Sequence, residues 1–560
     1  MRIGLMCVLL AGLVSGAWAQ DAKPAAAEAL PVDPAALARW RELRFGMFIH
    51  WGPVSLKGTE IGWSRGAQIP LEEYDQLYTK FNPDKFNADE WVKTAKDAGM
   101  RYMVITTKHH DGFCMWPTKY TEHCLGSSPF KRDVLKELSE ACKRQGLRFG
   151  TYYSICDWYH PDFPLGSPGG STRKPNPNLE RYTEYVKNEV SELVRNYGPL
   201  STIWFDVPQE FDRARGQGVI NLVRSLQPDI VVNNRSGAPG DYDTPEQQVG
   251  GFNRERPWET CMTICNQWAW KPGDAMKSLQ QCLRTLLMTV GGDGNLLFNV
   301  GPMPDGLIEP RQVERLREMG AWLQKYGAGV YGTRGGPFRP GKWGVATCKE
   351  NSIYVYVMAW PAEGPLVLPS IGRKVLQARA ATGGDAQFAQ TDAGLTLSVP
   401  AAARDPIATL VELTVDGPAF DIAPAAVGGF GGSLASKKKA AASNVFQNQV
   451  AAYGPDKALD DDADSRWATD AGTHAAWLQV DLGQPTRIGR VAIDEREWDR
   501  VKKFRLEYQD GAAWKTIFAG TTIGGDFAKT FDPVTAQVVR LNIEEATEGP
   551  TIWEFALFAK

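Results

Sequence analysis

The segment Leu200-Ser-Thr-Ile-Trp-Phe-Asp206 is an apolar run of β-branched and aromatic residues that ends in one carboxylate. This composition predicts a buried β-strand. Because side chains alternate along a strand, Trp204 and Asp206 should share a face, which places the acid beside an indole at the strand exit. In a parallel barrel this end of a strand builds the active site, so a catalytic acid above a sugar-stacking ring is predicted. The alternative is an Asp that caps the next turn.

Strand-like and helix-like segments alternate on both sides of this strand. Further strands are predicted at residues 45–50, 102–109, 147–155, 230–235, 258–264 and 295–300, with a weak eighth near 329–331. Helices are predicted between them, at 88–98, 134–145, 178–196, 218–226 and 274–289, and after them at 311–327. Repeated units of this number favour an α/β fold of the (β/α)8-barrel type. An open doubly wound sheet would more often carry a Gly-rich turn after its first strand.

The sequence pattern divides the chain into five parts. We expect a signal peptide at 1–19, a barrel at 34–335, a β-sandwich at 336–422, a linker rich in Gly, Ala, Ser and Lys at 423–442, and a second sandwich at 443–560. The first part combines Arg2, an apolar run and an A-x-A site ending at Ala19. An exported protein, periplasmic or secreted, is therefore predicted. No later stretch approaches the roughly 20 apolar residues of a membrane span.

Charge and cysteine content exclude several classes of protein. The chain has 560 residues and a net charge of −3, with no basic stripe, so no nucleic-acid partner is expected. The eight cysteines that follow the signal segment form no CxxC pair and none lies in the second sandwich. Their spacing does not indicate a disulfide framework.

Histidine, aromatic and arginine side chains gather at the predicted strand ends. They are His50, His109, His110, Tyr152, Trp204 and Arg235, with Trp268 in the loop after the sixth strand. Planar donors and rings around one carboxylate suit a neutral ligand with hydroxyls and an apolar face, such as a sugar. A zinc hydrolase is the competing interpretation. Adjacent strand residues face opposite ways, and no H-x-H or H-E-x-x-H occurs, so no active-site metal is expected.

Cleavage of a glycosidic bond needs a second carboxyl group. Glu246 follows the fifth strand, at the same end as Asp206, whereas Glu259 is the second residue of the sixth strand. A strand rises about 3.3 Å per residue, so Glu259 should lie well below the barrel mouth. We therefore assign the acid/base to Glu246, with Glu259 as the alternative. Glu259 itself is expected to be a buried carboxylate paired with an arginine.

Several motifs occur in the order found in one enzyme family. They are Arg44-Phe-Gly-Met-Phe-Ile-His-Trp-Gly52, Lys108-His-His-Asp-Gly-Phe113, Ile203-Trp-Phe-Asp206, Val232-Asn-Asn-Arg235, Trp258-Glu-Thr-Cys261 and Asn295-Leu-Leu-Phe-Asn-Val-Gly-Pro302. Over roughly residues 35 to 415 the chain resembles the α-L-fucosidases of glycoside hydrolase family 29. The resemblance implies an exo-acting, retaining hydrolase without a cofactor, whose partner is a fucosylated oligosaccharide or glycoconjugate.

The resemblance also implies roles for single residues. Asp206 would be the nucleophile. The residues that hold fucose would be His50, His109, His110, Tyr152, Trp204 and Arg235, with Trp268 on the methyl group. The Thr-Pro-Glu segment ending at Glu246 resembles the loop that carries the family's acid/base. Trp63 lies where many members have Glu-Trp-Tyr; the Glu is absent here, unless Glu60 substitutes for it. Val207 replaces the usual Gly after the nucleophile and should tighten that space.

The last domain resembles the discoidin, or factor 5/8 type C, fold. Its Asp460 to Asp464 are candidates for a structural calcium ion, with an acidic surface turn as the alternative. The Asp-Tyr-Asp-Thr-Pro-Glu-Gln loop at 241–247 and this appended module resemble the family's subgroup restricted to α-1,3 and α-1,4 branch fucose, rather than the subgroup that accepts simple aryl fucosides. The alternative function is a fucose-binding protein whose barrel has lost catalysis.

Overall fold

The structure is a computed structural model. It describes residues 28–559 apart from 169–171, 362–363, 382, 384, 393, 428–432 and 461–464. The expected signal peptide at 1–19 lies outside the described residues, and so does most of the candidate calcium turn, at 461–464.

The first half of the described chain alternates strands and helices. The helices are α1 Pro34–Arg41, α2 Leu71–Tyr74, α3 Ala88–Asp97, α4 Val134–Gln145, α5 Leu179–Tyr197, α6 Arg213–Leu226, α7 Leu279–Gly291 and α8 Pro310–Tyr326. The strands are β1 Phe45–Ile49, β2 Tyr102–Lys108, β3 Arg148–Ser154, β4 Thr202–Asp206, β5 Val231–Val232, β6 Glu259–Thr263 and β7 Asn295–Val300. These strands pair in parallel in the order β5-β4-β3-β2-β1-β7-β6. The expected barrel-type fold is confirmed.

Side-chain caps fix where the main helices begin. Five of the described helices are preceded by a residue whose side chain accepts a hydrogen bond from the backbone N–H of the third helical residue. These capping residues are Asn87, Asp133, Asn178, Asp212 and Ser278. Such caps satisfy N–H groups that have no partner inside the helix. The cap at Asp212 explains why α6 begins five residues before the predicted start at 218.

An irregular segment, 241–247, closes the barrel between β5 and β6. Asn233 bridges Tyr242 on one side, and Glu246 bridges Cys261 on the other. The amide of Gln247 donates to Cys261 O at 3.0 Å. The predicted eighth strand at 329–331 is wrong, because residues 327–329 form a 3₁₀ turn. Segment 241–247 was expected to be a loop; Pro245 lacks an N–H, so this stretch shows no regular strand pattern.

Aromatic and apolar side chains fill the inside of the barrel. One buried cluster contains Phe48, Tyr102, Val104, Tyr152, Trp204, Tyr242, Cys261 and Leu297. The register of β3 and β4 sets Tyr152 opposite Trp204 and Ser154 opposite Asp206. The carboxylate therefore lies above a packed core, as in barrels whose interior is filled by side chains.

Two all-β modules follow the barrel. The first contains β8 Arg334–Gly335, β9 Gly344–Lys349, β10 Ser352–Val357, β11 Leu366–Leu368, β12 Val375–Ala380, β13 Gln387–Thr391, β14 Gly394–Ser398 and β15 Thr409–Val415. The second contains β16 Lys439–Ala442, α9 Val450–Tyr453, β17 Trp467–Ala468, β18 Ala476–Asp494, β19 Val501–Asp510, β20 Ala513–Gly520, β21 Phe527–Ala546, β22 Thr551–Ile552 and β23 Glu554–Phe558. Each has its own apolar core. Strand β16 pairs with β18, so the end of the expected linker is part of this module.

A buried aspartate ties the amino-terminal floor of the barrel together. Asp293 forms ion pairs with Arg44 at 2.6 Å, Arg334 at 2.7 Å and Arg41 at 3.3 Å. Burial would raise the pKa of Asp293, but Arg44 and Arg334 hold it below its usual value. Because Arg334 belongs to β8, this carboxylate joins the barrel to the first β-module.

The cysteines are free thiols. All eight in the described residues, from Cys114 to Cys348, are buried and unpaired with one another. Among the same residues no helix is both long and apolar enough to cross a membrane.

Replacing Asp293 should destabilise the fold strongly. Asp293→Ala leaves Arg44, which is 1% exposed, without its counter-charge, and breaking a buried ion pair typically costs about 3 to 5 kcal/mol. Denaturant unfolding monitored by tryptophan fluorescence measures this loss. The control Asp305→Ala breaks a partly exposed pair with Lys85, for which about 1 kcal/mol or less is expected. Equal effects of the two substitutions would contradict the role given to Asp293.

Candidate active site

Asp206 ends β4 at the mouth of the barrel, held by a tyrosine and an arginine. The Tyr152 hydroxyl donates to Oδ2 at 2.7 Å, and Arg235 Nη1 donates to Oδ1 at 3.0 Å. Ile155 N donates to the carbonyl of Asp206 at 2.9 Å. Both oxygens and the backbone of this residue are therefore fixed, which leaves the carboxylate in one orientation.

Arg235 joins two carboxylates through a single nitrogen. Its Nη1 lies 3.0 Å from Asp206 Oδ1 and 2.8 Å from Glu246 Oε2. The two carboxylate oxygens therefore lie less than about 6 Å apart, which is shorter than the roughly 6.5 to 9.5 Å between the carboxyl groups of inverting glycosidases. Thr244 accepts from Arg235 Nε at 2.7 Å, and the guanidinium lies 4.8 Å above the Trp204 ring. Contact with Asp206 raises the pKa of Arg235 against the effect of burial.

Glu246 and Glu259 occupy very different environments. The Glu246 side chain is 42% exposed, whereas Glu259 is fully buried beneath Trp204. Glu259 accepts hydrogen bonds from the Tyr102 hydroxyl and, at 3.0 Å, from Trp204 Nε1. The expected arginine partner was wrong, because the donors that meet Glu259 across the barrel are neutral. Burial raises the pKa of Glu259 to about 7.

Two histidines at the mouth have defined tautomers. Asn299 Nδ2 donates to Trp268 O, so its Oδ1 accepts from His50 Nδ1 at 2.7 Å. Ser154 Oγ donates to Cys156 O, so it accepts from His110 Nδ1 at 2.7 Å. In both rings Nε2 is left as an acceptor. Burial lowers the pKa of His50 to about 3 and that of His110 to about 4, so both are neutral near pH 7.

His109 and Trp63 complete this side of the mouth. His109 stacks on Tyr152 with 8° between the ring planes, and its buried Nδ1 has no partner among the described residues. The rings of His109 and His110 are 3.9 Å apart. His109 and His110 were expected to face opposite ways as neighbours on a strand; this was wrong, because β2 ends at Lys108. Trp63 is 43% exposed and lies edge-on to His110, so its ring is available at the rim.

Two carboxylates hold the loop that carries Trp268. Glu60 accepts from the backbone N–H groups of Trp268 at 2.9 Å and Ala269 at 3.0 Å. Asp274 accepts from the two preceding amides, of Asn266 and Gln267, at 2.9 Å each. Four consecutive N–H groups are thus satisfied, and the Trp268 ring is placed 4.7 Å from the His50 ring. Both carboxylate oxygens of Glu60 accept hydrogen bonds from this loop.

Val207, directly after Asp206, has an unusual backbone. Its φ is +43°, in the left-handed region that β-branched residues avoid. Such a conformation costs on the order of 1 to 3 kcal/mol and persists only where the surroundings impose it. The glycine expected from the family would adopt it without strain.

The structure places the predicted site residues together and adds three residues that orient them. One end of the barrel brings together the predicted site residues. They are Asp206, Glu246, His50, His109, His110, Tyr152, Trp204, Arg235, Trp268 and Trp63. Ser154, Thr244 and Asn299, which orient them, were not singled out, although each lies at a strand end or beside Glu246. Across the described residues, no cluster of three or more His, Cys, Asp or Glu is arranged to hold a metal.

The neutral state of Glu259 should make stability depend on pH. An unfolded chain ionises this carboxyl above its ordinary pKa of 4.5, whereas the folded protein keeps the proton up to about 7. The free energy of unfolding should therefore fall as pH rises from about 4.5 to about 7. Glu259→Gln should remove that part of the pH dependence in denaturant titrations, while the exposed control Glu255→Gln should retain it. An unchanged slope in Glu259→Gln would contradict this assignment.

Known proteins resemble this chain over both the barrel and the last module. Residues 14–328 match the family model described as alpha-L-fucosidase, and residues 439–556 match the F5/8 type C domain. The plasma alpha-L-fucosidase of Homo sapiens is 30% identical over 377 residues, covering 60% of this chain and 79% of that protein.

Solved structures extend the comparison. An alpha-L-fucosidase from Bacteroides thetaiotaomicron, solved as a trapped covalent intermediate, is 29% identical and has a TM-score of 0.63 over 70% of this chain and 98% of its own. An alpha-L-fucosidase from Vibrio sp. strain EJY3 has a TM-score of 0.67 over 93% of this chain and 98% of its own; at 24% identity it supports the fold alone. The chain belongs to the α-L-fucosidase family, glycoside hydrolase family 29, and is a glycoside hydrolase.

Proposed function

We propose that this protein is an exo-acting, retaining α-L-fucosidase with Asp206 as nucleophile and Glu246 as acid/base. The observation that carries the proposal is the single Arg235 nitrogen that contacts both carboxylates. It limits the gap between their nearest oxygens to less than about 6 Å, which leaves no room for the water that an inverting enzyme places between carboxylate and sugar.

The contacts of each carboxylate suit its role. Asp206 is fixed by Tyr152 and Arg235, so it meets the anomeric carbon in one orientation and forms the glycosyl-enzyme. Glu246 is half exposed at the rim, where it reaches the leaving oxygen and afterwards a water molecule. In the first step Glu246 donates its proton to the departing oxygen, and in the second it takes one from the attacking water.

The remaining side chains would hold the sugar. The Nε2 atoms of His50 and His110 are acceptors for hydroxyl groups, and His109 lies between these rings and Tyr152. Trp204 forms the floor, Trp268 offers a ring face to the methyl group, and Trp63 lies at the rim. Because the histidines are neutral, their hydrogen bonds are suited to an uncharged sugar. The covalent intermediate described for the Bacteroides thetaiotaomicron relative supports the same two-step course.

Removing the nucleophile tests the proposal most directly. Asp206→Ala should abolish nearly all release of 4-nitrophenol from 4-nitrophenyl fucoside, because no group remains to attack the anomeric carbon. Near-normal activity in a folded Asp206→Ala protein would end the assignment. Asp305→Ala, which removes a partly exposed carboxylate elsewhere on the barrel, should keep full activity.

Removing the acid/base should depend on the leaving group. Glu246→Ala should slow hydrolysis of a fucosyl oligosaccharide by about 10² to 10⁴-fold, and that of a highly activated aryl fucoside much less, since a good leaving group departs unprotonated. Azide should restore turnover of the activated substrate by attacking the glycosyl-enzyme. Glu259→Gln is the matched control, and it should show neither the leaving-group dependence nor the rescue. The opposite result would exchange the roles of the two glutamates.

We also propose a preference for α-1,3- and α-1,4-linked branch fucose. The support is a resemblance to the family's subgroup restricted to these linkages, carried by the Asp-Tyr-Asp-Thr-Pro-Glu-Gln segment at 241–247 and by the appended F5/8 type C domain. Fucose release from a Lewis-type trisaccharide should exceed that from 4-nitrophenyl fucoside in kcat/KM. A higher value for the aryl substrate would reverse the preference.

The expected domain boundaries and export remain part of the proposal. We place a cleaved signal peptide at 1–19, the barrel at 34–335 and the first sandwich at 336–422. The last module is placed from Lys439, because β16 belongs to its sheet. Export to the periplasm or the medium would bring the enzyme to fucosylated glycans.

A further inference from the structure

The loop at 266–274 carries Trp268, and two other parts of the barrel mouth hold its backbone. Trp268 N donates to Glu60 Oε2 at 2.9 Å, and Trp268 O accepts from Asn299 Nδ2 at 2.7 Å. Glu60 lies in the segment after β1, whereas Asn299 is the fifth residue of β7. Side chains from two other elements therefore bind both polar backbone groups of this one tryptophan.

Glu60 accepts from more than one amide of this region. Its Oε1 accepts from Ala269 N at 3.0 Å and from Ile61 N at 3.1 Å, in addition to the bond between Oε2 and Trp268 N. Hydrogen bonds from backbone N–H groups to an ionised carboxylate are stronger than those between neutral groups. The side chains of Ala269 and Ile61 belong to one buried apolar cluster, so apolar packing joins the same two segments.

The end of β7 approaches the same loop closely. A Cβ atom at Gly301 would lie 2.5 Å from Trp270 N, so glycine is needed for this approach of the two backbones. The Trp268 ring is partly exposed, and its centroid lies 4.7 Å from that of His50 and 6.0 Å from that of Phe48. Because the loop is held by Glu60 on one side and by β7 on the other, the ring has a defined position beside His50.

We propose that Glu60 is a positioning residue that sets the preference of the site for a sugar with a C6 methyl group, because it holds Trp268 against that group. The inference rests on the proposed fucosidase function, in which the Trp268 ring faces the methyl group. Glu60 needs no contact with the sugar, since its carboxylate acts through the backbone N–H groups of Trp268 and Ala269. Displacing the ring should therefore weaken this preference more than it slows the reaction itself.

Two substrates that differ by the methyl group test the proposal. 4-Nitrophenyl β-D-arabinopyranoside has the ring hydroxyl groups of the α-L-fucoside in the same configuration but lacks the C6 carbon. The ratio of kcat/KM for the fucoside to kcat/KM for the arabinoside measures recognition of the methyl group, because the leaving group is the same. For the wild-type protein we expect a ratio of about 10 to 200, the usual range for one carbon in an apolar contact.

Changing Glu60 should lower this ratio. Glu60→Gln keeps the shape of the side chain, but its NH2 group cannot accept an amide hydrogen, so at least one backbone N–H loses its acceptor. We expect Glu60→Gln to lower the ratio by about threefold or more, and Glu60→Ala, like Trp268→Ala, by about tenfold. The loss should appear mainly as a higher KM for the fucoside. The matched control Glu72→Gln changes an exposed glutamate on α2 and should leave the ratio unchanged.

A double variant shows whether Glu60 acts through Trp268. In Trp268→Ala the ring is absent, so adding Glu60→Gln should change the ratio by less than about twofold. If the double variant loses as much of the ratio again as Glu60→Gln loses alone, Glu60 acts on another group and the proposal is wrong.

Other results would also overturn the proposal. They are an unchanged ratio in Glu60→Ala, equal losses on the two glycosides in both Glu60 variants, and equal kcat/KM for the two glycosides in the wild-type protein. Equal losses would mark Glu60 as a residue that only supports the fold. A wild-type protein that hydrolyses neither glycoside would remove the proposed function, and this inference with it. Failure of the inference alone would leave fucoside hydrolysis by the wild-type protein intact.

Discussion

The hydrogen bonds of segment 241–247 to its two neighbours are the constraint on which the barrel and its site both depend. Strand β5 is only two residues long, and without this segment a gap would separate it from β6. The same residues include Thr244, which orients Arg235, and Glu246, which contacts it. The segment that closes the barrel therefore also sets the distance between the carboxylates of Asp206 and Glu246. A shift of this segment would move the acid/base relative to Asp206.

Two buried carboxylates show different solutions to the cost of burial. Asp293 is surrounded by three guanidiniums and is kept ionised, as its lowered pKa indicates. The described donors to Glu259 are neutral, and its pKa is raised. The uncharged form suits a position beneath Trp204, because burial penalises the charged form of the carboxyl group.

The sequence was sufficient for the parts of the fold that depend on local pattern. Long apolar runs predicted β1 to β4, β6 and β7, and helices α3, α4, α5 and α8 begin within one residue of their predicted starts. The histidine and tryptophan positions followed because parallel strands bring their carboxyl ends together. The partners of Glu259 did not follow: Tyr102 and Trp204 come from other strands, and periodicity reports burial but not which residues meet across a barrel. Segment 241–247 was not predicted to pair with strands β5 and β6, because Pro245 and the polar residues around it lack the alternation of apolar and polar residues that marks a strand.

The eight buried thiols have a practical consequence for studying how the protein opens. Burial raises the pKa of most of them, so they react slowly with thiol reagents while the fold is intact. Because they lie between Cys114 and Cys348, in the barrel and at the start of the first β-module, labelling would report the opening of these regions and would not respond to the last domain. Under conditions where the opened protein refolds more slowly than it is labelled, the rate of thiol modification equals the rate of unfolding. The natural chain thus carries its own probes of kinetic stability, without any engineered cysteine.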